Sequence, residues 1–386
     1  MLTTPTPKEI AAFSVSDHCN SLSQLTLERL GLASTPIRVE ASVRQFPTGL
    51  REAFFFGQED VRDIVTRTEV RMECLPDGAV FRENEPVLAL IGPAGQIALL
   101  RTALTGVLTF YSSLITRMTD FVVAARPRPV HFFGLRKIHP SHALQYLLCA
   151  YIAGMEIDAT GLATQICPGT KIADCQEHFA NIVASSVELS WEAFLSLGVS
   201  HGALYIVFDN TSDPVEEMER ALTSLGERLH GILVDLDSTR RGHLARVIQE
   251  IRWKLKLSNR QDIQICLTGG VTPQIIRETK DLVVSYGVGV NALQAPVLDF
   301  SFQVVEVGGR PRSKLGVLGG RKSTFLCANC GARMIDLVDS SPKCCGVSMR
   351  PLLESFDLAF DSVARRIEAK RNVAAYLENK SSTTTD

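Results

Sequence analysis

The sequence predicts an α/β protein, and three features of its pattern support this. From residue 126 to about residue 294, short apolar segments typical of strands alternate with amphipathic helical segments. Repeated strand–helix units of this kind predict parallel strands. Residues 1–125 predict a separate α+β domain that ends in a long apolar helix. Four cysteines between residues 327 and 345 predict a small additional element near the C-terminus.

The composition is that of an ordinary folded protein. The chain has 386 residues, of which 45% are hydrophobic and 21% are charged, with a formal net charge of −2. That charge gives no reason to expect nucleic acid or an anionic membrane as a partner. Residues 1–11 lack the apolar core of a signal peptide, and the longest apolar run is interrupted by Arg101, Arg117 and Asp120. We therefore expect a cytoplasmic protein with reduced thiols and without a membrane span.

The first domain shows three strand patterns and one long helix. Apolar and polar residues alternate at 37–46, and two further strands are predicted at 70–75 and 86–91. The helical pattern then runs from about residue 96 to 124, and the Ala-Arg-Pro-Arg-Pro stretch at 125–129 marks a boundary. A strand at 301–307 and a charged helix at about 353–378 follow the second domain.

The second domain contains six predicted strands with helices between several of them. The strands are predicted at 129–133, 161–166, 203–208, 231–234, 263–267 and 282–285. Helices are predicted at 215–230 and 244–257. An open doubly wound sheet and a closed barrel both fit this pattern.

Polar residues or glycines directly follow several of these predicted strands. Ligands of α/β proteins bind outside the carboxyl ends of parallel strands, so these positions are the candidates for a site. In chain order they are Arg136, Lys137, His139, Thr170, Asp209, Asp235, Asp237, Thr268, Gly269, Gly270, Gly287 and Gly289.

The chemistry of these residue types is consistent with a phosphorylated sugar ligand. Glycine turns expose backbone N–H groups that can hold phosphate, and carboxylates bind sugar hydroxyls or Mg²⁺. Arginine and lysine bind carboxylates or diphosphates. Each feature alone also has a structural explanation as a tight turn, a helix cap or a solvated side chain. Their recurrence at successive strand ends favours a ligand site.

Six motifs, in this order and spacing, resemble the type II phosphoribosyltransferases, in particular the short archaeal-like form of the nicotinate phosphoribosyltransferase family. They are EPVLALIG at 85–92, FGLRKIHP at 133–140, VDLDSTRRG at 234–242, TGG at 268–270, YGVGV at 286–290 and KLG at 314–316. The resemblance covers about residues 35–350.

The resemblance implies a specific architecture. It predicts an N-terminal α/β sandwich at 1–125, an irregular parallel α/β barrel with the active site at 126–298, and a return to the sandwich at 299–323. A four-cysteine zinc knuckle is expected at 324–352, and a C-terminal helix with a disordered tail at 353–386. Such enzymes are usually dimers, so a homodimer or a higher homo-oligomer is expected.

The resemblance also implies a reaction and residue roles. Such enzymes join a pyridine carboxylate to 5-phosphoribosyl 1-diphosphate with Mg²⁺, giving a mononucleotide and diphosphate. Asp235 and Arg136 match the expected catalytic residues, with Arg136 near the pyridine carboxylate or diphosphate and Asp235 on the ribose hydroxyls. Thr268–Gly270 and Gly287 with Gly289 match the two phosphate-binding turns, and Asp209 matches an aspartate after the preceding strand.

Three positions depart from the family pattern. Cys19 replaces a tyrosine that stacks on the pyridine, and Leu233 replaces an arginine. The segment from Gly169 to Asp174 has the Gly-Thr of a family motif Gly-Thr-x-x-His but contains no histidine. His178 is close in sequence, but its position on a predicted helix favours a structural role. These departures predict that the phosphoribosyl donor is retained and that the acceptor differs from ordinary nicotinate.

Two other functions fit parts of the pattern. The chain could be a non-catalytic relative that binds a phosphoribosyl or nucleotide ligand. An unrelated phosphate-binding barrel enzyme such as an aldolase would be expected to use a lysine on a barrel strand, and the predicted strands contain none.

The cysteine segment predicts a structural metal site. Cys327 and Cys330 have Cys-x-x-Cys spacing, and Cys344 and Cys345 follow as an adjacent pair. Four thiolates can share one Zn²⁺ ion and leave no open coordination position, which is typical of structural zinc. Reduced thiols without a metal are the alternative.

Overall fold

The structure is a computed structural model that describes residues 5–157, 172, 174–197, 204–208, 212–235, 243–355 and 361–382. The chain forms two compact units. The first consists of Met1–Thr116 with Pro296–Asp386, and the second consists of Arg117–Ala295. The division after residue 116 falls within the long helix, nine residues before the predicted domain boundary at 125. The segments predicted separately at 299–323, 324–352 and 353–386 all belong to the first unit.

The structure contains more helices than the four whose bounds the sequence predicts, at 96–124, 215–230, 244–257 and 353–378. Within the described ranges they are α1 Pro7–Ala11, α2 His18–Arg29, α3 Gln58–Val65, α4 Ala94–Ala125, α5 Ala143–Ile152, α6 His178–Val183, α7 Val187–Ser196, α8 Pro214–Leu225, α9 Leu244–Leu257, α10 Pro273–Thr279, α11 Val290–Leu293 and α12 Ser362–Ser382. The last helix was expected to begin near residue 353, where the chain instead forms a short strand against the sandwich sheet.

The described strands of the second unit have three to five residues, whereas those of the first unit range from two to eight residues. Within the described ranges they are β1 Pro36–Val43, β2 Ala53–Phe54, β3 Arg71–Cys74, β4 Val80–Phe81, β5 Leu88–Pro93, β6 Val130–Phe132, β7 Tyr205–Phe208, β8 Gly231–Asp235, β9 Gln264–Thr268, β10 Ser285–Val288, β11 Phe300–Val307, β12 Arg310–Pro311, β13 Lys322–Leu326, β14 Arg333–Leu337, β15 Lys343–Cys344, β16 Val347–Ser348, β17 Arg350–Pro351 and β18 Glu354–Ser355. The strand predicted at 161–166 lies outside the described residues.

The main sheet of the first unit is antiparallel. In the described residues its order is β12-β11-β1-β5-β3-β18. Strand β11, which follows the second unit in sequence, pairs with β1 from Ile37 opposite Val307 to Val43 opposite Phe300. The alternation along β1 turns Val39 towards an apolar core and Arg38 towards the opposite face.

Helix α4 supplies much of the core of the first unit. Its residues Ile97, Leu100, Leu104 and Leu108 are buried in the cluster formed by the sheet. Each such side chain contributes about 1.5–3 kcal/mol when it leaves water. By length and composition α4 is also apolar enough to cross a membrane, contrary to our expectation that no segment would qualify. Core helices meet the same criterion, and half of its most apolar window is buried within the protein.

The C-terminal helix α12 packs onto the turn at residues 76–78. Asn372 donates a hydrogen bond to the backbone oxygen of Asp77, and Arg366 forms an ion pair with Glu59. The Asp77 carboxyl accepts hydrogen bonds from two backbone N–H groups at the start of α3. Burial nevertheless raises the pKa of Asp77 to about 7.

The parallel sheet of the second unit positions the candidate site. In the described residues its order is β6-β10-β9-β8-β7, and every pair is parallel. Isolated parallel bridges extend it at both edges, from His131 to Glu156 and from Tyr205 to Cys175. Closure of this sheet into a barrel stays a prediction, because residues 158–171 lie outside the description.

One face of this sheet carries an apolar cluster. It is formed by Tyr205, Val207, Leu233 and Cys266, and Phe133 packs against it. The ring of Tyr205 occupies the space beside Gly231, where a Cβ atom would lie 2.9 Å from a ring carbon. The lower part of this face is therefore filled by side chains, and polar groups occur nearer the carboxyl ends of the strands.

We predict that Gly78→Ala destabilises the first unit strongly. Gly78 has φ +79°, and a Cβ there would lie 2.4 Å from the backbone oxygen of Ala369 in α12. The expected loss in the free energy of unfolding is about 3 kcal/mol, from left-handed backbone strain and the steric conflict together. Denaturant unfolding measures it. Gly31→Ala, at φ +68° in open space, is the matched control and should cost about 1 kcal/mol. Equal losses would contradict the packing of α12 on this turn.

Candidate functional site

Several predicted residues meet at the carboxyl edge of the parallel sheet. Asp235 is the register partner of Thr268, so the last residues of β8 and β9 lie side by side. Gly287 is the register partner of His131, and the N–H of Phe133 donates a hydrogen bond to the backbone oxygen of Val288. Parallel strands end at a common edge, and the structure therefore brings four strand ends together.

His178 is the closest described partner of Asp235. Its Nε2 lies 3.4 Å from Asp235 Oδ2, and both side chains are about one-quarter to one-third exposed. His178 is the first residue of α6, and we expected it to have a structural role. The structure instead places the imidazole of His178 next to the carboxylate of Asp235, the predicted catalytic residue. The sequence feature that could have indicated this contact is the position of His178 directly after Glu177, the residue that caps the helix.

Glu177 connects this pair to the predicted arginine. Its side chain accepts a hydrogen bond from the N–H of Phe179 and thereby caps α6, and it also binds Arg136 at 3.1 Å. Arg136 lies on a short 3₁₀ helix after β6 and is 65% exposed. A solvated ion pair of this kind contributes less than about 1 kcal/mol, so Arg136 can exchange Glu177 for an anionic ligand at little cost.

The other two basic candidates lie on the same connection. Lys137 and His139 are exposed, and His139 Nδ1 lies 2.7 Å from the hydroxyl of Ser141. The structure therefore presents Arg136, Lys137 and His139 to solvent beyond the end of β6.

The turn after β9 has the backbone expected of an anion-binding turn. Gly269 and Gly270 have φ values of +79° and +65°. A Cβ at Gly270 would meet no atom within 4 Å, so one side of this turn is open. Thr268 ends the strand directly before it. A glycine turn with an open side at a strand end has room for an anion to approach its backbone.

Gly287 has a packing role that the sequence did not indicate. A Cβ at this position would lie 2.2 Å from the ring of Phe133 and 3.0 Å from the hydroxyl of Thr268. The glycine therefore lets Phe133 lie across β10. Gly289 caps the four-residue helix α11 without a side-chain hydrogen bond.

Three predicted ligand residues lie outside the description. They are Thr170, Asp209 and Asp237. The structure therefore tests neither their positions nor their predicted roles.

The three departures from the family pattern have separate environments. Leu233 belongs to the apolar cluster below Asp235. Asp174 accepts a backbone hydrogen bond from Tyr205 through its carbonyl oxygen. Cys19 is exposed on α2 in the first unit, after Asp17, which caps that helix.

His131 is buried on the site face of β6. Its Nδ1 lies 3.4 Å from Glu156 Oε2, and its ring stacks on Phe133 with an interplanar angle of 13°. A carboxylate at this distance favours the protonated ring, yet burial dominates and lowers the pKa of His131 to about 4. The site therefore contains a neutral imidazole at physiological pH.

The four predicted metal ligands of the first unit form a compact cluster. The sulfur atoms of Cys327, Cys330, Cys344 and Cys345 all lie within 4.8 Å of one another. Cys330 and Cys344 are 3.6 Å apart, and Cys344 and Cys345 are 3.8 Å apart. Tetrahedral Zn–S bonds of about 2.3 Å place sulfur atoms at similar separations. Backbone N–H groups of Cys330 and Asn329 lower the pKa of Cys327 to about 7.

The segment around the cluster is a small sheet. Strand β13 pairs with β14 and β17, while β15 and β16 form a hairpin that carries Cys344. Cys345 has φ +51°, a conformation that lets the adjacent cysteines direct their sulfur atoms to one point. Adjacent rather than spaced cysteines are thus compatible with a shared metal ion.

The fold and the strand-end residues define a class of protein, the α/β proteins with a candidate ligand site at the carboxyl edge of a parallel sheet. The quinolinate phosphoribosyl transferase N-terminal domain profile matches residues 24–112. A solved structure described as nicotinate-nucleotide pyrophosphorylase from Pyrococcus furiosus is 26% identical, with a TM-score of 0.89 and 98% of each chain covered. Human nicotinic acid phosphoribosyltransferase, 18% identical with 94% of each chain covered, shares the fold at a TM-score of 0.69.

A curated relative gives the same family. Nicotinate phosphoribosyltransferase pncB2 of Mycobacterium tuberculosis is 27% identical over 300 residues, which is 71% of this chain. The match spans 64% of the length of that relative. Together these similarities support a relationship between this chain and the type II phosphoribosyltransferases.

We predict that His131 makes stability depend on pH below neutrality. Its pKa is about 4 in the folded protein and about 6.5 when unfolded, so the unfolded chain binds the proton more readily. The free energy of unfolding should fall by about 3 kcal/mol as the pH decreases from about 7 to about 4. Urea unfolding of wild type and His131→Gln isolates this contribution. His18→Gln, at an exposed position, should retain the wild-type slope, and an equal slope in His131→Gln would contradict the assignment.

Proposed function

We propose that the protein is a phosphoribosyltransferase that joins a pyridine carboxylate, nicotinate or a related aromatic acceptor, to 5-phosphoribosyl 1-diphosphate. The observation that carries this proposal is the Asp235–His178 pair beside the open turn at Thr268–Gly270. A carboxylate suits the ribose hydroxyls and a turn of exposed N–H groups suits a phosphate. The Mycobacterium tuberculosis relative is named as a nicotinate phosphoribosyltransferase, which is consistent with this proposal.

The proposed reaction exchanges two bonds at the anomeric carbon of the ribose. The bond to the diphosphate oxygen breaks, a bond to the acceptor nitrogen forms, and diphosphate leaves with the electron pair. Positive charge develops on the sugar, so a nearby carboxylate stabilises the transition state. Asp235 is placed for this role, and His178 orients its carboxylate at 3.4 Å. Catalysis then depends on positioning rather than on a covalent intermediate.

The donor set at this edge fits Mg²⁺ chemistry. Magnesium prefers oxygen ligands and is usually held by one or two carboxylates together with substrate phosphates. Asp235 is partly exposed and offers such oxygens. When bound, Mg²⁺ would neutralise charge on the diphosphate. In this proposal Arg136 and Lys137 supply further positive charge for the diphosphate or for the acceptor carboxylate.

The acceptor side of the proposal favours an aromatic ring with little negative charge. The cluster below Asp235 contains Leu233 where the family pattern has an arginine, and His131 is neutral. A leucine cannot bind a carboxylate, so this layer contributes shape and an apolar contact. Acceptors related to nicotinate with altered anionic groups are therefore part of the proposed range. Loss of catalysis with retained binding of the donor is the second candidate function, and Leu233 and Cys19 are the observations that favour it.

We also propose that the four-cysteine cluster binds one structural Zn²⁺ ion. The separations between sulfur atoms support tetrahedral coordination, and the hairpin β15–β16 supports the adjacent pair. With four thiolate ligands the ion would have no open position and would stabilise the small sheet around β13.

Self-association and a cytoplasmic location complete the proposal. Helices α6 and α7 and the residue after them expose several large apolar side chains: Phe179, Ile182, Val183, Leu189 and Leu197. A cluster of this kind on a soluble domain commonly contacts another chain. A homodimer is the proposed state, and no nucleic acid or membrane is part of the proposed function.

We predict that the protein releases diphosphate from 5-phosphoribosyl 1-diphosphate only when an aromatic acceptor is present. The assay uses nicotinate, nicotinamide, quinolinate and other pyridine and aromatic carboxylates with Mg²⁺. Asp235→Asn should reduce kcat/KM about 100-fold, because it removes the negative charge that faces the transition state. Asp281→Asn removes an exposed carboxylate before β10, at the opposite edge of the sheet, and should leave the rate unchanged.

The outcomes separate the two candidate functions. Turnover with any acceptor supports a transferase and identifies its substrate. Binding of the donor without turnover across the panel would favour the non-catalytic relative. If neither turnover nor donor binding is observed, both are wrong.

We predict one zinc ion per chain in protein purified without chelators. Elemental analysis measures the content, and Cys330→Ser should reduce it severalfold because one of four thiolate ligands is lost. Cys19→Ser, an exposed cysteine outside the cluster, should retain one ion per chain. Wild-type protein that contains no zinc and takes up none would contradict the site.

A further inference from the structure

The carboxylate of Glu177 makes two separate contacts, one through each oxygen. Oε2 accepts a hydrogen bond of 2.7 Å from the N–H of Phe179 and thereby caps helix α6. Oε1 binds Nη1 of Arg136 at 3.1 Å. Arg136 and Glu177 lie 41 positions apart in the sequence, so their ion pair joins two different segments of the second unit.

This ion pair holds one of the three basic side chains that follow β6. Lys137 and His139 are exposed, and neither forms an ion pair with the part of the chain that the structure describes. The cap already restricts the side chain of Glu177, so little further rotamer freedom is lost when Arg136 pairs with it. The ligand-free protein therefore holds Arg136 beside the start of α6.

A carboxylate in this position competes with any anion that binds Arg136. The guanidinium group has to leave Glu177 before it can form two parallel hydrogen bonds with a phosphate. When a binding group is available for only a fraction of the time, the apparent dissociation constant rises by the inverse of that fraction. Because exposed ion pairs are weak, the expected loss of affinity is about threefold.

We propose that Glu177 is a positioning residue that holds Arg136 in the ligand-free protein and weakens the binding of phosphate anions there. The inference rests on the proposed transferase function, in which Arg136 supplies positive charge for a diphosphate group. After the reaction the carboxylate of Glu177 takes Arg136 back and thereby promotes the release of diphosphate. Glu177 acts through Arg136 and makes no contact with the reacting atoms.

Equilibrium binding of inorganic diphosphate to the full chain tests this role without requiring turnover. Diphosphate is titrated into wild type, Glu177→Gln, Arg136→Gln and the double variant at about 0.15 M salt. Glutamine retains an oxygen that can accept the capping hydrogen bond, but it loses the charge that pairs with Arg136. Glu177→Gln should bind diphosphate about threefold more tightly than wild type. Arg136→Gln should bind it about tenfold more weakly.

The double variant separates competition for Arg136 from general repulsion of the anion. If Glu177 acts through Arg136, replacing it in the Arg136→Gln background should leave the affinity for diphosphate nearly unchanged. A carboxylate that only repels the anion would give the same gain in both backgrounds. The expected gain in the single variant cannot result from misfolding.

Glu192→Gln is the matched control for the loss of one negative charge. Glu192 binds Arg228 at 3.1 Å, the same distance as in the Arg136–Glu177 pair. Its two side chains are 59% and 46% exposed, compared with 65% and 58% for Arg136 and Glu177. Arg228 precedes β8 and therefore lies towards the opposite edge of the sheet. The control should match the wild-type affinity for diphosphate, because screening by salt limits the effect of distant charges.

Turnover provides a second measurement of the same competition. Glu177→Gln should lower the KM for the donor and the inhibition constant of diphosphate by the same factor, about threefold. A lack of turnover would contradict the proposed transferase, whereas the binding titrations would still decide the role of Glu177. Equal affinities in wild type and Glu177→Gln, equal gains in both backgrounds, or absence of saturable diphosphate binding would overturn the inference.

Discussion

The parallel pairing of β8 with β9 places Asp235 opposite Thr268, and the candidate site depends on this register. A shift of either strand by one residue would turn the side chains of that strand to the other face of the sheet. The pairing is held by the apolar cluster below it, where Leu233 and Cys266 are also register partners. The same register of β8 and β9 therefore places Asp235 beside Thr268 and Leu233 beside Cys266. A change in this register would alter both pairs.

The short helix α6 adds what the strands alone do not provide. It begins with His178 on Asp235, while the residue before it, Glu177, caps the helix and binds Arg136. The dipeptide Glu177–His178 thus connects the end of β8, the start of α6 and the basic segment after β6. The ion pair with Arg136 is solvated and weak, whereas the histidine–aspartate pair is partly shielded from water. Ligand binding would accordingly rearrange Arg136 before it disturbs His178.

The strands and long helices could be predicted from the sequence because their periodicity is local. The strand predicted at 301–307 is Phe300–Val307, and the helix predicted at 244–257 has those bounds in the structure. Leu244–Leu257 combines a regular apolar face with charged residues on the other side, which a sequence window detects. The start of α12 was misplaced because a strand pairing with β3 decides it, and that partner lies about 280 residues earlier.

The site was predictable in part for the same reason. Asp235 and Thr268 follow predicted strands, so their meeting follows from parallel pairing. His178 was interpreted as structural because its contact with Asp235 joins residues 57 positions apart, across a segment whose path the sequence does not determine.

The glycine at position 287 has a consequence for how relatives of this protein are compared. Its hydrogen leaves the space that the Phe133 ring occupies, and any larger residue would displace that ring. A homologue that had lost its chemistry would still need the glycine to fold in this way. Retention of Gly287 in a distant homologue thus indicates a shared architecture, whereas under the proposed function retention of His178 and Asp235 is the criterion that separates active from inactive homologues.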